Sequence, residues 1–410
     1  MTFRTALSGL NAAQTDLNVT GNNIANANTT GFKGSRTEFV DVYAASFLGV
    51  SDATAGSGVR VSSIAQDFSQ GNIKISSNNL DLAINGDGFF VMSDNGSTEY
   101  TRAGNFHLDR SGYIVNSQDA KLQVYPASSG GNYDTGVLAD LKLLTAEGVP
   151  SATSTLQVGV NLPASARQPA IPFAANNPDS YNASSSTVVY DSLGSSHTST
   201  MYFRKDETTP PGVNLWNTYL YTDGTLVTSG GASPVKLSFN SNGTLATAQP
   251  IAFDAYTPTN GANAISQSIN FTTTSQYGSP FSVNTLSQNG YSTGRLSGIA
   301  IDTDGVVSAR YTNGQSTTLG KVAMATFANN NGLNQLGNTS WGQTYASGDR
   351  ILGQAGRGTF GLLQSGAVES SNVDVAEQLI GLISAQRNYQ ANAQVISTEN
   401  QVSQTIINIR

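Results

Sequence analysis

The chain has 410 residues, enough for two or three domains with sizeable cores. Only 11% of them are charged, against about 25% in an ordinary globular protein, and a net charge of −7 argues against nucleic acid as a partner. There is no cysteine, which excludes disulfides, thiolate metal sites and cysteine nucleophiles.

The first segment, MTFRTALSGLNAAQTD, has no basic region leading into an apolar run. Neither an ordinary secretory signal nor membrane insertion is expected. Phe3, Leu7, Leu10, Gln14, Leu17, Gly21 and Ile24 recur at alternating spacings of four and three. That predicts a heptad-patterned helix about 36 Å long.

The middle of the chain reads as strands. LDRSGYIV, YTDGTLV, FNSNGTL, IDTDGVV and YTNGQ each set Asp, Asn or Ser before glycine between β-favouring residues, as tight turns require. All twelve prolines lie between Pro126 and Pro280, which marks a central β segment inserted into an outer frame.

The C-terminal stretch repeats the helical pattern through Leu379, Leu382, Gln386, Tyr389, Ala393, Ile396, Asn400, Ser403 and Ile407. It predicts a helix nearly 60 Å long, with Asn372 and Asp374 as candidate caps. Residues 1–31 hold only Arg4 and Asp16, and residues 370–410 only Asp374, Glu377, Arg387, Glu399 and Arg410. A helix lying on one core normally shows a charged outer face. Amides in that place can bond across packed protein without desolvating a charge, so several helix faces are expected to meet other protein.

Chemistry is hard to find. His107 lies in a strand-like NFHLD, and His197 in LGSSHTST lacks a nucleophile-elbow context. Asp302 and Asp304 in IDTDGVV give half a calcium loop without its distal Glu, so a turn is expected. GQAGRG at 353–358 lacks the Lys-Ser/Thr ending of a phosphate loop and reads as a flexible junction. Phe89, Phe90, Trp216, Tyr219 and Trp341 sit in strand-like contexts that favour core packing over sugar stacking. No catalytic, cofactor or metal site is expected.

Four segments carry a family resemblance. LSGLNAAQTDLNVTGNNIANANTTGFKGSR, with NNIANANTTGFK at 22–33 as its most specific part, resembles the N-terminal signature of bacterial flagellar rod, hook and hook-associated proteins. SQGNIKISSNNLDLAINGDGFFVM (69–92), YTRAGNFHLDRSGYIVN (100–116) and VESSNVDVAEQLIGLISAQRNYQANAQVIST (368–398) are similar to the same family. Residues 147–285 carry no clear resemblance. The chain's length and its insertion look like the hook branch.

The resemblance implies a mainly β chain whose terminal helices pair as a coiled-coil-like domain, followed by a β-rich domain and an inserted barrel- or sandwich-like β domain. The expected division is 1–30 with 371–410 for polymerisation, 31–70 as connector, 71–146 with 286–370 as a discontinuous β domain, and 147–285 as the outer domain. It also implies a self-assembly interface at Phe3, Leu7, Leu10, Leu17, Asn22, Asn23, Ile24, Asn26, Phe32, Leu379, Leu382, Gln386, Tyr389 and Ile396. Within it, Thr20–Asn28 should continue the helix, Gly31 should turn at positive φ, Phe32 should anchor the next segment, and Lys33 and Arg36 should mark a polar exit. The implied partners are further copies of the chain, the distal rod, the hook cap, hook–filament junction proteins and the flagellar type III export apparatus. The implied place is the extracellular hook, reached without a cleaved signal. The alternatives are a distal-rod subunit, a secreted carbohydrate-binding adhesin using Trp216, and a β-rich hydrolase.

Overall fold

The computed structural model describes residues 2–42, 56–128, 132–143, 148–207 and 214–408. Arg410, and residue 147 where the outer domain was expected to begin, lie outside them, as does part of the expected connector. The chain divides into two compact units. One is Met1–Thr145 with Gly298–Arg310 and Ser316–Arg410; the other is Ala146–Ser297 with Tyr311–Gln315. The protein is mainly β with a helix near each terminus.

In the first unit, helix α1 spans Thr2–Ala25 and helix α2 spans Val375–Asn408. α1 stops three residues short of the expected Asn28. The chain turns there instead, with Asn26 N bonded back to Asn22 O at 3.1 Å and Thr29 N to Asn26 O at 3.0 Å. Asn and Thr bond readily to nearby backbone, which competes with helix continuation. The 34 residues of α2 make about 51 Å rather than 60. Asp374 caps it, its Oδ1 accepting from Ala376 N at 2.8 Å. Asn372 does not cap: its Nδ2 donates to Asp67 O at 2.8 Å and its Oδ1 accepts from Gly34 N at 2.8 Å.

After α1 an antiparallel ribbon pairs Ser35–Asp41 with Val59–Gln66. The main sheet of this unit runs in the order Leu296–Ile301, Val306–Tyr311, Ser316–Thr326, Lys121–Pro126, Phe89–Asp94, Ser97–Thr101, Ser340–Gly342 and Asn334–Gly337. Phe89, Val91, Tyr100, Tyr125, Ala323, Ala325 and Trp341 pack together on one face. The central strands are covered on both faces, since Phe90, Met92, Leu122, Val124, Val322 and Met324 at the alternating positions are buried as well.

The second unit is a sandwich of two sheets. One orders Ile251–Ala252, Ser268–Asn270, Thr155–Asn161 and Ser282–Gln288. The other orders Ala183–Tyr190, Ser196–Asp206, Asn214–Thr222 and Thr225–Val227, with Val235–Phe239 also on Asn214–Thr222. Val158, Val160, Met201, Phe203, Trp216, Leu220 and Phe271 form the shared core. The YTDG turn closes as its sequence predicts: Asp223 has φ 48° and Gly224 φ 79°, the paired positive values of a two-residue hairpin turn.

Candidate assembly surface

The two helices run antiparallel. Gly9 lies against Asn392, where an added Cβ would come within 2.7 Å of Oδ1. Asn23 Nδ2 donates to Gln378 Oε1 at 3.0 Å. In both contacts the residue numbers add to 401, so the register holds along the pair. The seam is made of small residues. Ala6, Ala12, Ala13, Thr20 and Asn23 are buried on α1, and Ala385 on α2. Small side chains let helix backbones approach closely, and the larger residues are turned aside.

Many of the larger apolar residues face outward. Phe3 and Leu7 on α1 are exposed, as are Val375, Leu379, Ile380, Ile383, Val395, Val402, Ile406 and Ile407 on α2. Ile380 is 68% and Ile407 71% exposed. So many large apolar side chains exposed on one helix pair are what an interaction site presents. Among the described residues, no helix is long and apolar enough to cross a membrane.

The helix pair is tied to the sheet below by a buried charge cluster. Lys33 Nζ lies 2.6 Å from Glu369 Oε1, and Arg102 Nη1 lies 3.1 Å from Glu369 Oε2. The Glu369 side chain is fully buried, and Gly71 N also donates to its Oε1 at 2.8 Å. Lys33 Nζ donates further to Ser69 O at 2.6 Å. Burial pushes the Lys33 ammonium below its ordinary value, against the opposing pull of Glu369. Lys33 is thus not the polar exit expected of it. Gly31 does turn at positive φ (70°), and its N donates to Glu369 O at 2.8 Å. A Cβ there would lie 2.4 Å from Ala103 N, so only glycine fits.

Beside this cluster the last turn of α1 borders a cleft of about 730 Å³. Asn22, Asn26, Asn105, Asn116, Gln118, Gln335 and Asn338 are among its lining residues.

The residues expected at the interface divide into three groups. Phe3, Leu7, Leu379, Asn22 and Gln386 are exposed. Leu10, Leu17, Ile24, Asn26, Phe32, Leu382, Tyr389 and Ile396 are half-buried within the chain. Asn23 is consumed internally: beyond Gln378, its Nδ2 donates to Ser35 O at 2.7 Å and its Oδ1 accepts from Ser35 N at 2.9 Å. The sequence reading missed Glu369 and Arg102. A signal was present, since in a chain so poor in charge a Glu just before a helix invites a search for its partner.

Elsewhere, Asp302 shapes a turn by accepting from Val306 N at 2.8 Å. The 353–358 stretch turns between strands Ile351–Gln354 and Leu362–Ser365; it does not lead directly into α2. Among the described residues, no three His, Asp or Glu are grouped to hold a metal. Trp216 is fully buried, with Nε1 donating to Gln276 Oε1 at 3.3 Å, so it offers no face to a sugar. His197 bridges two carboxylates, Asp223 Oδ2 at 2.6 Å and Asp191 Oδ2 at 3.2 Å. Hydrogen bonds use both ring nitrogens, leaving neither as a base toward a serine.

Comparison with known proteins places the chain among flagellar basal-body, rod and hook proteins. Family models match residues 3–33 (Flagella basal body rod protein), 83–172 (Flagellar hook protein FlgE/F/G D1 domain), 161–291 (Flagellar basal body protein FlaE D2 domain) and 364–409 (Flagellar basal body rod FlgEFG protein C-terminal). Flagellar hook protein FlgE of Escherichia coli is 40% identical, with all of both chains covered. That of Salmonella typhimurium is 38% identical, again with both chains covered in full. The chain belongs to the flagellar hook protein FlgE family. A crystal structure of Helicobacter pylori FlgE2, 15% identical, shares the fold with a TM-score of 0.53, covering 72% of this chain and 100% of that one.

Proposed function

We propose that this chain is the structural subunit of the flagellar hook, polymerising through its terminal helices into a tube that passes torque from rod to filament. The observation that carries this is the apolar, charge-poor outer face of the α1–α2 pair, which one chain leaves in water. Burying it between copies releases roughly 25 cal/mol per Å² of apolar surface. Amides at the remaining positions can pair without the cost of stranding a charge.

Residues 1–30 with 371–410 form the polymerisation domain in this reading, 31–70 the connector, 71–146 with 286–370 the inner β domain and 147–285 the outer one. The division of the chain into two units supports an inserted outer domain. The interface comprises the exposed apolar residues above, together with Leu10, Leu17, Leu382 and Ile396, whose half-exposed faces a neighbour would cover. Its partners are further copies, the distal rod, the hook cap, hook–filament junction proteins and the flagellar export apparatus, with the assembly outside the cell. The role is structural, with no reaction to catalyse.

Electron microscopy of the purified chain under polymerising conditions tests the reading. Curved tubes are expected from the full chain and none from one lacking residues 1–30. Straight rods only, or tubes from the truncated chain, would overturn it.

A further inference from the structure

We propose that the amide-lined cleft beside the end of α1 receives the free end of α2 from a second copy of this chain. The inference rests on the polymerising reading and names one of its contacts.

The cleft is neutral. Among the described residues Lys33 is the only charged one lining it, and Glu369 already pairs with that ammonium. Its walls include Asn22 and Asn26 on one side and the turn joining Asn334–Gly337 to Ser340–Gly342 on another. Such a surface has no counter-charge for a desolvated ion but many partners for amides and hydroxyls.

The turn on its rim is strained. Asn338 has φ 51° and Thr339 φ 58°, and a β-branched residue in the left-handed region is a true outlier. Thr101 Oγ1 holds it by donating to Thr339 O at 2.7 Å. Strain of this kind persists where surroundings fix it and gathers at functional sites.

The antiparallel register supplies the occupant. With contacts adding to 401, Thr2 at the start of α1 stands opposite Glu399. The nine residues 400–408, NQVSQTIIN, extend beyond it, and every one is exposed. They are uncharged, and six of the nine carry an amide or hydroxyl. Their chemistry is that of the cleft. A chain cannot fill its own cleft in this way. Asn23, at the cleft end of α1, meets Gln378, and Gln404 lies about 39 Å farther along α2 at 1.5 Å per residue.

The chain has no cysteine, so a disulfide can report the contact. The double variant Asn338→Cys/Gln404→Cys is polymerised, oxidised and run on a non-reducing denaturing gel. A disulfide requires Cα atoms within about 4.4–6.8 Å, so any bridge between these positions joins two copies. A ladder of covalent oligomers is expected from the polymer, with none from the monomer and none beyond dimer from either single variant. Normal tubes without a ladder overturn this contact and leave the polymerising reading intact. Failure of the unmodified chain to form tubes overturns the polymerising reading itself. If only the double variant fails to polymerise, a peptide of residues 396–408 titrated into the unmodified monomer decides. Shifts in the amide signals of Gln118, Asn338 and Thr339 support the contact, and their absence at millimolar peptide overturns it.

Discussion

Lys33 and Glu369 are 336 positions apart and meet at 2.6 Å with neither side chain exposed. The first follows α1 and the second precedes α2, so one buried contact fixes where both helices leave the sheet. Arg102 completes the cluster from the other side of the carboxylate.

Replacing the carboxylate tests how much the junction depends on it. Glu369→Gln strands two buried cations without a counter-charge, which typically costs about 3–5 kcal/mol. The unfolding midpoint of the first unit in urea should fall accordingly, with the second unit's transition unmoved. A midpoint within error of wild type would mean that water reaches the cluster.

Much of this architecture was legible from local chemistry. The YTDG and IDTDG turns announce hairpins because their backbone needs Asp or Asn before glycine, whatever surrounds them. The heptads announce two helices. Which apolar residues serve the helix pair and which serve other copies was not legible, because a heptad marks a stripe without naming its partner. Ala6, Ala13 and Ala385 are buried along the helix seam, whereas Leu7, Leu379, Ile380 and Ile383 are exposed and Leu10, Leu17 and Leu382 half-buried. In a polymer the strongest hydrophobic pattern can belong to contacts between copies, and one chain's periodicity does not say which partner it serves. Lys33 was misplaced for a related reason: its partner lies 336 residues away, and no local pattern links the two.

The seam and the outer face should respond oppositely to substitution. Ala13→Leu overfills a close helix contact and should cost the monomer's helix pair about 1–3 kcal/mol. Ile383→Asp lies on the outer face and should leave monomer stability within about 0.5 kcal/mol. It should nevertheless abolish tubes, because a neighbour would have to bury an unpaired carboxylate. Circular dichroism melts and electron microscopy on the two variants separate the effects. Normal tubes from Ile383→Asp would remove this face from the interface.

The second unit should carry a pH signature. Burial tends to lower the His197 value, but hydrogen bonds to Asp223 and Asp191 prevail and raise it above its ordinary 6.5. Asp191 and Asp223 are lowered from 3.8 despite burial, by Asn260, His197 and backbone donors at the first and by His197 and Thr198 N at the second. Tyr256 Oη also faces Asp223 at 3.2 Å. The histidine's stabilisation is complete below its unfolded value and is lost as pH rises through its folded one. The carboxylates' contribution is present above 3.8 and is lost as pH falls through their folded values. The cluster therefore stabilises most between about pH 4 and 6.5. The second unit's melting temperature should fall from pH 6 to pH 9, and His197→Gln should flatten that slope. An unchanged slope in the variant would assign it to other groups.

Hydrogen exchange should show a gradient along the terminal helices before assembly and none after it. In one chain the pair is held most firmly at one end, where Asn23 bonds to Gln378 and Ser35 and where Glu369 is locked by Lys33, while near the start of α1 Ser8 Oγ accepts from Val59 N at 3.2 Å. Toward the other end the seam thins to alanines. α2 has only Ala385 buried, and each of residues 400–408 is exposed. Helices without packing of their apolar faces are marginal in water, and opening begins where buried contacts are fewest. Amides of 396–407 should therefore exchange fastest in the monomer, those of 3–12 next, and those of 17–25 and 378–385 most slowly. In the polymer, neighbours cover the outer faces and all of these amides should slow together. Residue-resolved exchange on monomer and tube measures both states. Uniform strong protection in the monomer would mean that the helices are stable alone, and assembly would then not be what completes their fold.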